Sequence, residues 1–122
     1  MKYDLEERTA QLGINIIQFC KKIHTGVITS PLINQLVRAG TSIGANYAEA
    51  DDAQTSKDFN YKICTCKEES RETMHFLRRI AAAVPEMDKE ATMLWQEAKE
   101  LNLIFNAIHN KMKLKSTDKK KS

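Results

Sequence analysis

The stretch SPLINQLVRAGTSIGANYAEA, residues 30–50, decides the fold, and DDAQTSKDFNYKICTCKEESRE, residues 51–72, extends it. Ser30 is a good helix N-cap, and Pro31 at the first helical position has no N–H to leave unpaired. At about 100° per residue, Ile33, Leu36, Gly40, Ile43 and Tyr47 fall in one arc. That spacing predicts a helix from Pro31 to about Ala50 with this arc in a core. The opposite face carries Arg38, Ser42, Asn46 and Glu49, flanked by Ala39, Thr41 and Ala45. The four polar residues sit three or four apart, so neighbours can bond along the helix. A solvated face ordinarily favours long Lys and Glu, whereas small residues let backbones approach. A bland solvated face and a close contact with a second helix or subunit both fit; the small residues favour the contact.

Outward from this segment, the same 3.6-residue period recurs three times. Upstream, Leu5, Leu12, Ile16, Phe19 and Ile23, widened by Ile17 and Cys20, predict a helix from Leu5 to Ile23, capped by Asp4 with Glu7 three residues on. Gly26 breaks it, and Thr25 to Thr29 form a short connection. Downstream, Asp51 to Gln54 read as a tight turn, with a continuous or kinked helix as the alternative because no Gly or Pro interrupts. Thr55 or Ser56 caps a long helix from Lys57 to about Ala83. Its stripe is Phe59, Ile63, Cys66, Ser70, Thr73, Met74, Leu77, Ala81 and Val84. The polar Ser70 and Thr73 within it predict bonding to the local backbone or contact with the polar face of the preceding helix. Pro85 ends this helix. Asp88 then caps a fourth, with Ala91, Leu94, Trp95, Ala98, Leu101, Phe105, Ile108 and Met112 on one side and Trp95 in the core. Short connections make successive helices antiparallel. The fold class is therefore all-α, an antiparallel up-down four-helix bundle over residues 1–112. The Lys-rich segment 113–122 has no apolar residue after Leu114 and is expected to be disordered.

Composition agrees. The chain has 122 residues, with only four Gly and two Pro, which suits one helical domain large enough for a core without staples. Three cysteines is an odd count and argues against a disulfide framework. The N-terminal MKYDLEERTAQ is charged where an apolar signal segment would lie, and no apolar run approaches the roughly 20 residues of a membrane span. A cytoplasmic location follows as an expectation. The net charge of +3 is concentrated at one end. Residues 113–122 hold five Lys and one Asp, leaving 14 basic and 15 acidic residues in the remainder. Overall basicity is thus weak evidence for nucleic-acid binding.

Few constellations for chemistry survive inspection. Cys64 and Cys66 are two apart on a helix, point about 200° from each other, and cannot share a metal. Glu72-x-x-His75 has the spacing of a di-iron bundle motif, but such sites need two copies, and neither His24 nor His109 has a Glu three residues before it. No Gly-rich phosphate loop follows a strand. Glu68, Glu69 and Glu72 read more simply as partners for Arg38, Arg71, Arg78 or Arg79 than as acid–base catalysts. No cofactor, metal or catalytic set is predicted, and no enzyme. The third helix carries Lys57, Lys62, Lys67, Arg71, Arg78 and Arg79 against four acids, a modest basic stripe.

The run Leu36-Val37-Arg38-Ala39-Gly40-Thr41-Ser42-Ile43-Gly44-Ala45-Asn46-Tyr47-Ala48-Glu49 resembles the hallmark of the four-helix bundle family of rRNA intervening-sequence proteins. The block Ser56-Lys57-Asp58-Phe59, then Lys67-Glu68-Glu69-Ser70-Arg71-Glu72-Thr73 and Phe76-Leu77, matches too, with His75-Phe76 where relatives often carry Tyr-Trp. The resemblance spans Asp4 to about Met112. It implies a bacterial, ring-like homopentamer related to the accessory proteins of diversity-generating retroelements, which bind nucleic acid and a reverse transcriptase. It brings no catalytic activity. The resulting expectation is a non-enzymatic, homo-oligomeric scaffold associated with RNA or DNA, or alternatively one that docks a protein partner alone. Arg38, Ser42, Asn46, Glu49, Glu69 and Glu72 form its polar stripe or interface. Arg38 is expected to pair with at least one of the three carboxylates. Lys57, Lys62, Lys67, Arg71, Arg78, Arg79, Lys119, Lys120 and Lys121 are the candidate nucleic-acid contacts.

Overall fold

The computed structural model describes the backbone of residues 4–121 and the side chains of residues 4–115. It contains α1 (Leu5–Lys21), α2 (Thr29–Asp51), α3 (Ser56–Ala83), a 3₁₀ turn (Pro85–Met87) and α4 (Asp88–Lys121). Each helix packs on the next, and α4 closes back on α1; diagonal pairs of backbones stay apart. Cross-helix partners run in opposite directions throughout. Arg38 and Glu49 of α2 meet Glu69 and Lys62 of α3, in reversed order. Arg8 of α1 and Lys22, just past its end, likewise meet Glu97 and Glu90 of α4. This is the antiparallel up-down bundle that the periodicity predicts.

The core is built from the predicted stripes. Leu12, Ile16 and Phe19 of α1, Leu36 and Ile43 of α2, Ile63, Cys66 and Leu77 of α3, and Leu101 and Phe105 of α4 are all buried. Tyr47 reaches across the bundle, its ring centroid 6.2 Å from that of Phe105. The buried hydroxyls find local acceptors: Thr9 Oγ1 donates to Leu5 O at 2.7 Å, Thr73 Oγ1 to Glu69 O at 2.8 Å and Ser70 Oγ to Lys67 O at 3.0 Å. A buried hydroxyl without a partner would be costly. Bonding to the preceding helical turn lets these three residues sit among apolar neighbours.

The α1–α2 contact is close because of glycines. Gly13 and Gly44 face the backbones of Thr41 and Thr9, and a Cβ on Gly40 would collide with Ile16 Cδ1. Ala39, which the helical wheel sets beside the polar face, is fully buried. Helix α2 has neighbours on two sides, so its buried arc is wider than one stripe. Ile17, by contrast, is 40% exposed.

Several helix ends differ from expectation. Asp4 takes left-handed dihedrals (φ 55°, ψ 47°), and its carboxylate caps nothing. A capping side chain reaches the N–H groups of the first turn from an extended backbone, not from this one. Ser30 is not the cap of α2, because its own N–H already donates to Gly26 O at 2.9 Å. Pro31 still lies within the first turn, where N–H groups lack helical partners. Asp88 is itself helical, because the 3₁₀ turn runs straight into α4. Thr55 does cap α3: its backbone is extended and its Oγ1 accepts from Asp58 N at 3.0 Å. The backbone of α4 continues to Lys121, into the segment expected to be disordered. Nothing after Pro85 interrupts it, and Lys is a good helix former. The side chains of Lys119, Lys120 and Lys121 lie outside the described residues. No helix among the described residues is long and apolar enough to cross a membrane.

Candidate nucleic-acid interface and the Arg38 cluster

The polar face of α2 divides into three separate arrangements. Arg38 reaches α3, where Nη1 donates to Glu69 Oε2 at 3.2 Å and Nη2 to Glu72 Oε1 at 2.5 Å. Its Nε donates to Gln35 Oε1 at 3.1 Å. Two of the three expected carboxylates are thus its partners. The third, Glu49, pairs instead with Lys62, because it lies three turns further along α2. Asn46 stays within its own helix, donating through Nδ2 to Ser42 O and Ser42 Oγ, both at 2.9 Å. The Arg38 side chain is 48% exposed and that of Glu69 only 16%. Burial raises the Glu69 carboxyl above its ordinary value, although Arg38 pulls the other way. Hydrogen bonding to Glu72 raises the Arg38 guanidinium.

The candidate cations also separate. Lys62 is neutralised by Glu49 and belongs to the α2–α3 seam. The Arg79 guanidinium lies 4.9 Å from the Phe76 ring centroid. Lys57 is exposed in the first turn of α3. Lys67, Arg71 and Arg78 come together along one wall of a groove of about 300 Å³ between α3 and α4. Met74 and His75 share that wall; Trp95, Asn102 and Asn106 form the other. Among the described residues no carboxylate lines this groove. Asn102 fixes the register of its walls, its Nδ2 donating to Lys67 O at 2.8 Å and to Ser70 Oγ at 3.0 Å. Trp95 is only partly buried, with the Lys99 ammonium 5.2 Å from its ring, and its Nε1 is enclosed without a partner. On the far side of Arg78 and Trp95 lies a second hollow of about 370 Å³, lined by Leu77, Ala81 and Ala91 and, at its α4 end, by Asp88.

The matched sequence pattern decides the family. Residues 1–107 match the family of 23S rRNA-intervening sequence proteins. The chain belongs to that family. A similar solved structure is a protein of unknown function from the S23 ribosomal protein family of Bacteroides thetaiotaomicron, 23% identical in sequence. The TM-score is 0.74, and the match covers 86% of this chain and 97% of that one. At this identity the likeness shows the shared bundle. No curated protein sequence matches.

Within this intervening-sequence protein, two features escape the sequence pattern. Arg8 of α1 grips Glu97 of α4 with two bonds, Nη2 to Oε1 at 2.7 Å and Nε to Oε2 at 3.1 Å, and Glu100 lies 3.0 Å away. Cys64 of α3 meets His109 of α4, with Sγ 3.1 Å from Nδ1, and Asn60 Oδ1 is 3.0 Å from the same nitrogen. Cys66 points the other way, its Sγ 3.7 Å from Ile43 O in the core. Burial pushes the Cys66 thiol up to about 12 and the Cys20 thiol up to about 11. Glu72 and His75 do not act together: Glu72 faces Arg38, and His75 lines the groove. Among the described residues no group of three or more His, Cys, Asp and Glu gathers as a metal cage would require.

Proposed function

We propose that the protein is a non-enzymatic scaffold that associates with RNA, holding the phosphate backbone along the α3–α4 groove. The observation that carries this reading is the groove wall of Lys67, Arg71 and Arg78, with no carboxylate among the described lining residues. None of these three cations has an ion pair among the described residues, so each is available to a phosphate. Arginine forks suit phosphate oxygens, and the Asn102 and Asn106 side chains add neutral polar groups. Membership of a family named for rRNA intervening sequences supports RNA over other polyanions. Self-association belongs to the same proposal. Thr41, Ala45 and Ala48 leave a small, exposed strip on α2, and the family resemblance makes five copies the preferred number.

Binding of the full chain to a structured rRNA fragment, titrated across salt concentrations, tests this reading. Removing one phosphate-binding cation should flatten the log–log salt dependence by about 0.7 to 0.9. Arg71→Ala with Arg78→Ala should therefore reduce the slope by about 1.4 to 1.8. The reading fails if no RNA binds at low salt. It fails equally if removing 113–122 abolishes binding while the groove variants change nothing. Light scattering tests self-association, and a monomer at high micromolar concentration would refute it. A second reading, docking of a protein partner without nucleic acid, draws on Val27 and Ile28. These are 92% and 65% exposed at the α1–α2 corner.

A further inference from the structure

Trp95 is the only tryptophan of the chain, and it stands at one end of the basic groove. Leu101 and Phe105 of the same helix are fully buried, but Trp95 is only partly so. An enclosed indole N–H ordinarily finds an acceptor. Trp95 Nε1 has none among the described residues, so packing rather than a hydrogen bond holds the ring. The ring borders both hollows between α3 and α4, whereas Lys99, whose ammonium lies 5.2 Å from the ring centroid, lines neither. The two hollows differ in charge. The one beyond the ring holds Asp88, which repels a phosphate. The groove before it holds Lys67, Arg71 and Arg78. Lys67 and Arg71 are about 6 Å apart along α3, and Arg78 lies about 10 Å further on. Asn102, bonded to Lys67 O, marks the Lys67 end on the antiparallel α4. Trp95, two turns before Asn102, therefore lies at the Arg78 end.

We propose that the groove receives an unpaired RNA nucleotide, its base against the Trp95 ring and its flanking phosphates on Arg71 and Arg78. This rests on the phosphate-binding reading above and narrows it to single-stranded RNA. A cationic wall alone suits any polyanion, but an aromatic ring beside it suits a base with an uncovered face. In a duplex each base is covered above and below by its neighbours, and side chains cannot stack on it. A duplex is also too broad to enter a slot between helices packed about 8–10 Å apart. Unpaired bases of loops and bulges are free to stack on an aromatic ring while cations track the backbone. The absence of a hydrogen bond at Nε1 leaves the ring able to tip against such a base.

The test uses the full chain with a short single-stranded RNA of mixed sequence, the same strand annealed to its complement, and inorganic polyphosphate. Trp95 fluorescence, excited where tyrosine does not absorb, reads stacking directly because no other tryptophan contributes. The single strand should quench it on binding; the duplex and polyphosphate should bind without comparable quenching. Trp95→Leu should weaken single-strand binding on the order of tenfold while leaving polyphosphate binding and the salt dependence unchanged. Equal quenching by duplex or polyphosphate, or undiminished single-strand binding by a folded Trp95→Leu chain, would overturn the proposal. The phosphate reading would survive that result if Arg71→Ala with Arg78→Ala still flattens the salt dependence. If no RNA binds at low salt, both fall. If Trp95→Leu loses its helical circular dichroism, quenching in the native chain decides alone.

Discussion

Removal of Arg38 should destabilise the bundle modestly in a dilute single chain and more strongly wherever the chain self-associates. Arg38 joins two carboxylates one turn apart on α3, so Arg38→Ala leaves Glu69 and Glu72 facing each other without a counter-charge. The guanidinium is half exposed, and exposed ion pairs contribute only about 0.2–1 kcal/mol each. Glu69 is mostly enclosed, which puts its share at the upper end of that range. The expected loss for Arg38→Ala is about 1 kcal/mol, or roughly 4 °C in Tm for a domain of this size. A double-mutant cycle with Glu69→Gln should return a coupling of about 0.5–1 kcal/mol, weaker at high salt because the pair is partly solvated. Urea unfolding below the concentration at which the chain associates gives these values. A coupling of zero would refute the pairing. A loss of about 3–5 kcal/mol in a demonstrated monomer is the cost of an uncompensated buried charge, and would refute the half-exposed geometry. If α2 lies in a subunit interface, the cost should grow with protein concentration.

The α1–α2 contact predicts opposite signs for two neighbouring substitutions. Gly44→Ala places Cβ about 3.4 Å from the Thr9 backbone, an ordinary contact, so the gain in helix propensity should stabilise by about 0.5–1 kcal/mol. Gly40→Ala drives Cβ into buried Ile16, and overpacking of about 1–3 kcal/mol outweighs the same gain. The order of Tm should be Gly44→Ala, native, Gly40→Ala, and the reverse order would contradict the packing. Arg8→Lys replaces a two-bond fork on Glu97 with a single point charge. It should cost about 1 kcal/mol and loosen the α1–α4 seam in hydrogen exchange; unchanged protection there would refute the role. Glu69 holds its proton more tightly folded than unfolded, because burial raises its carboxyl. Its contribution to stability is therefore most favourable below the ordinary glutamate value, about pH 4.3, and falls as pH rises through the raised one. The stability of Glu69→Gln relative to native should thus increase between those limits, and a flat difference would refute the shift.

What the sequence makes legible follows from how local each feature is. The four helices announce themselves through 3.6-residue stripes, and Gly26 and Pro85 mark two of the breaks. The end caps are harder, since each depends on the dihedrals of one residue. Asp4 and Thr55 have equally suitable side chains, but only Thr55 has the extended backbone that lets its oxygen reach back. Register between helices is harder still. Arg38 is assignable to α3 because only a short turn separates the two helices, so carboxylates 31 and 34 residues on fall opposite it. Arg8 and Glu97 are 89 residues apart, and Cys64 and His109 are 45 apart. No periodicity within either helix reveals such pairs. The same limit explains the basic stripe, which looks uniform along α3. Its members diverge because the neighbouring helices differ: α2 offers Glu49 to Lys62, whereas the α4 residues that line the groove beside Lys67, Arg71 and Arg78 are Trp95, Asn102 and Asn106. A charge count along one helix therefore cannot tell a neutralised cation from an available one. The sign of each cation's partner is set by the adjacent helix, and that is why the groove, rather than the stripe, carries the functional proposal.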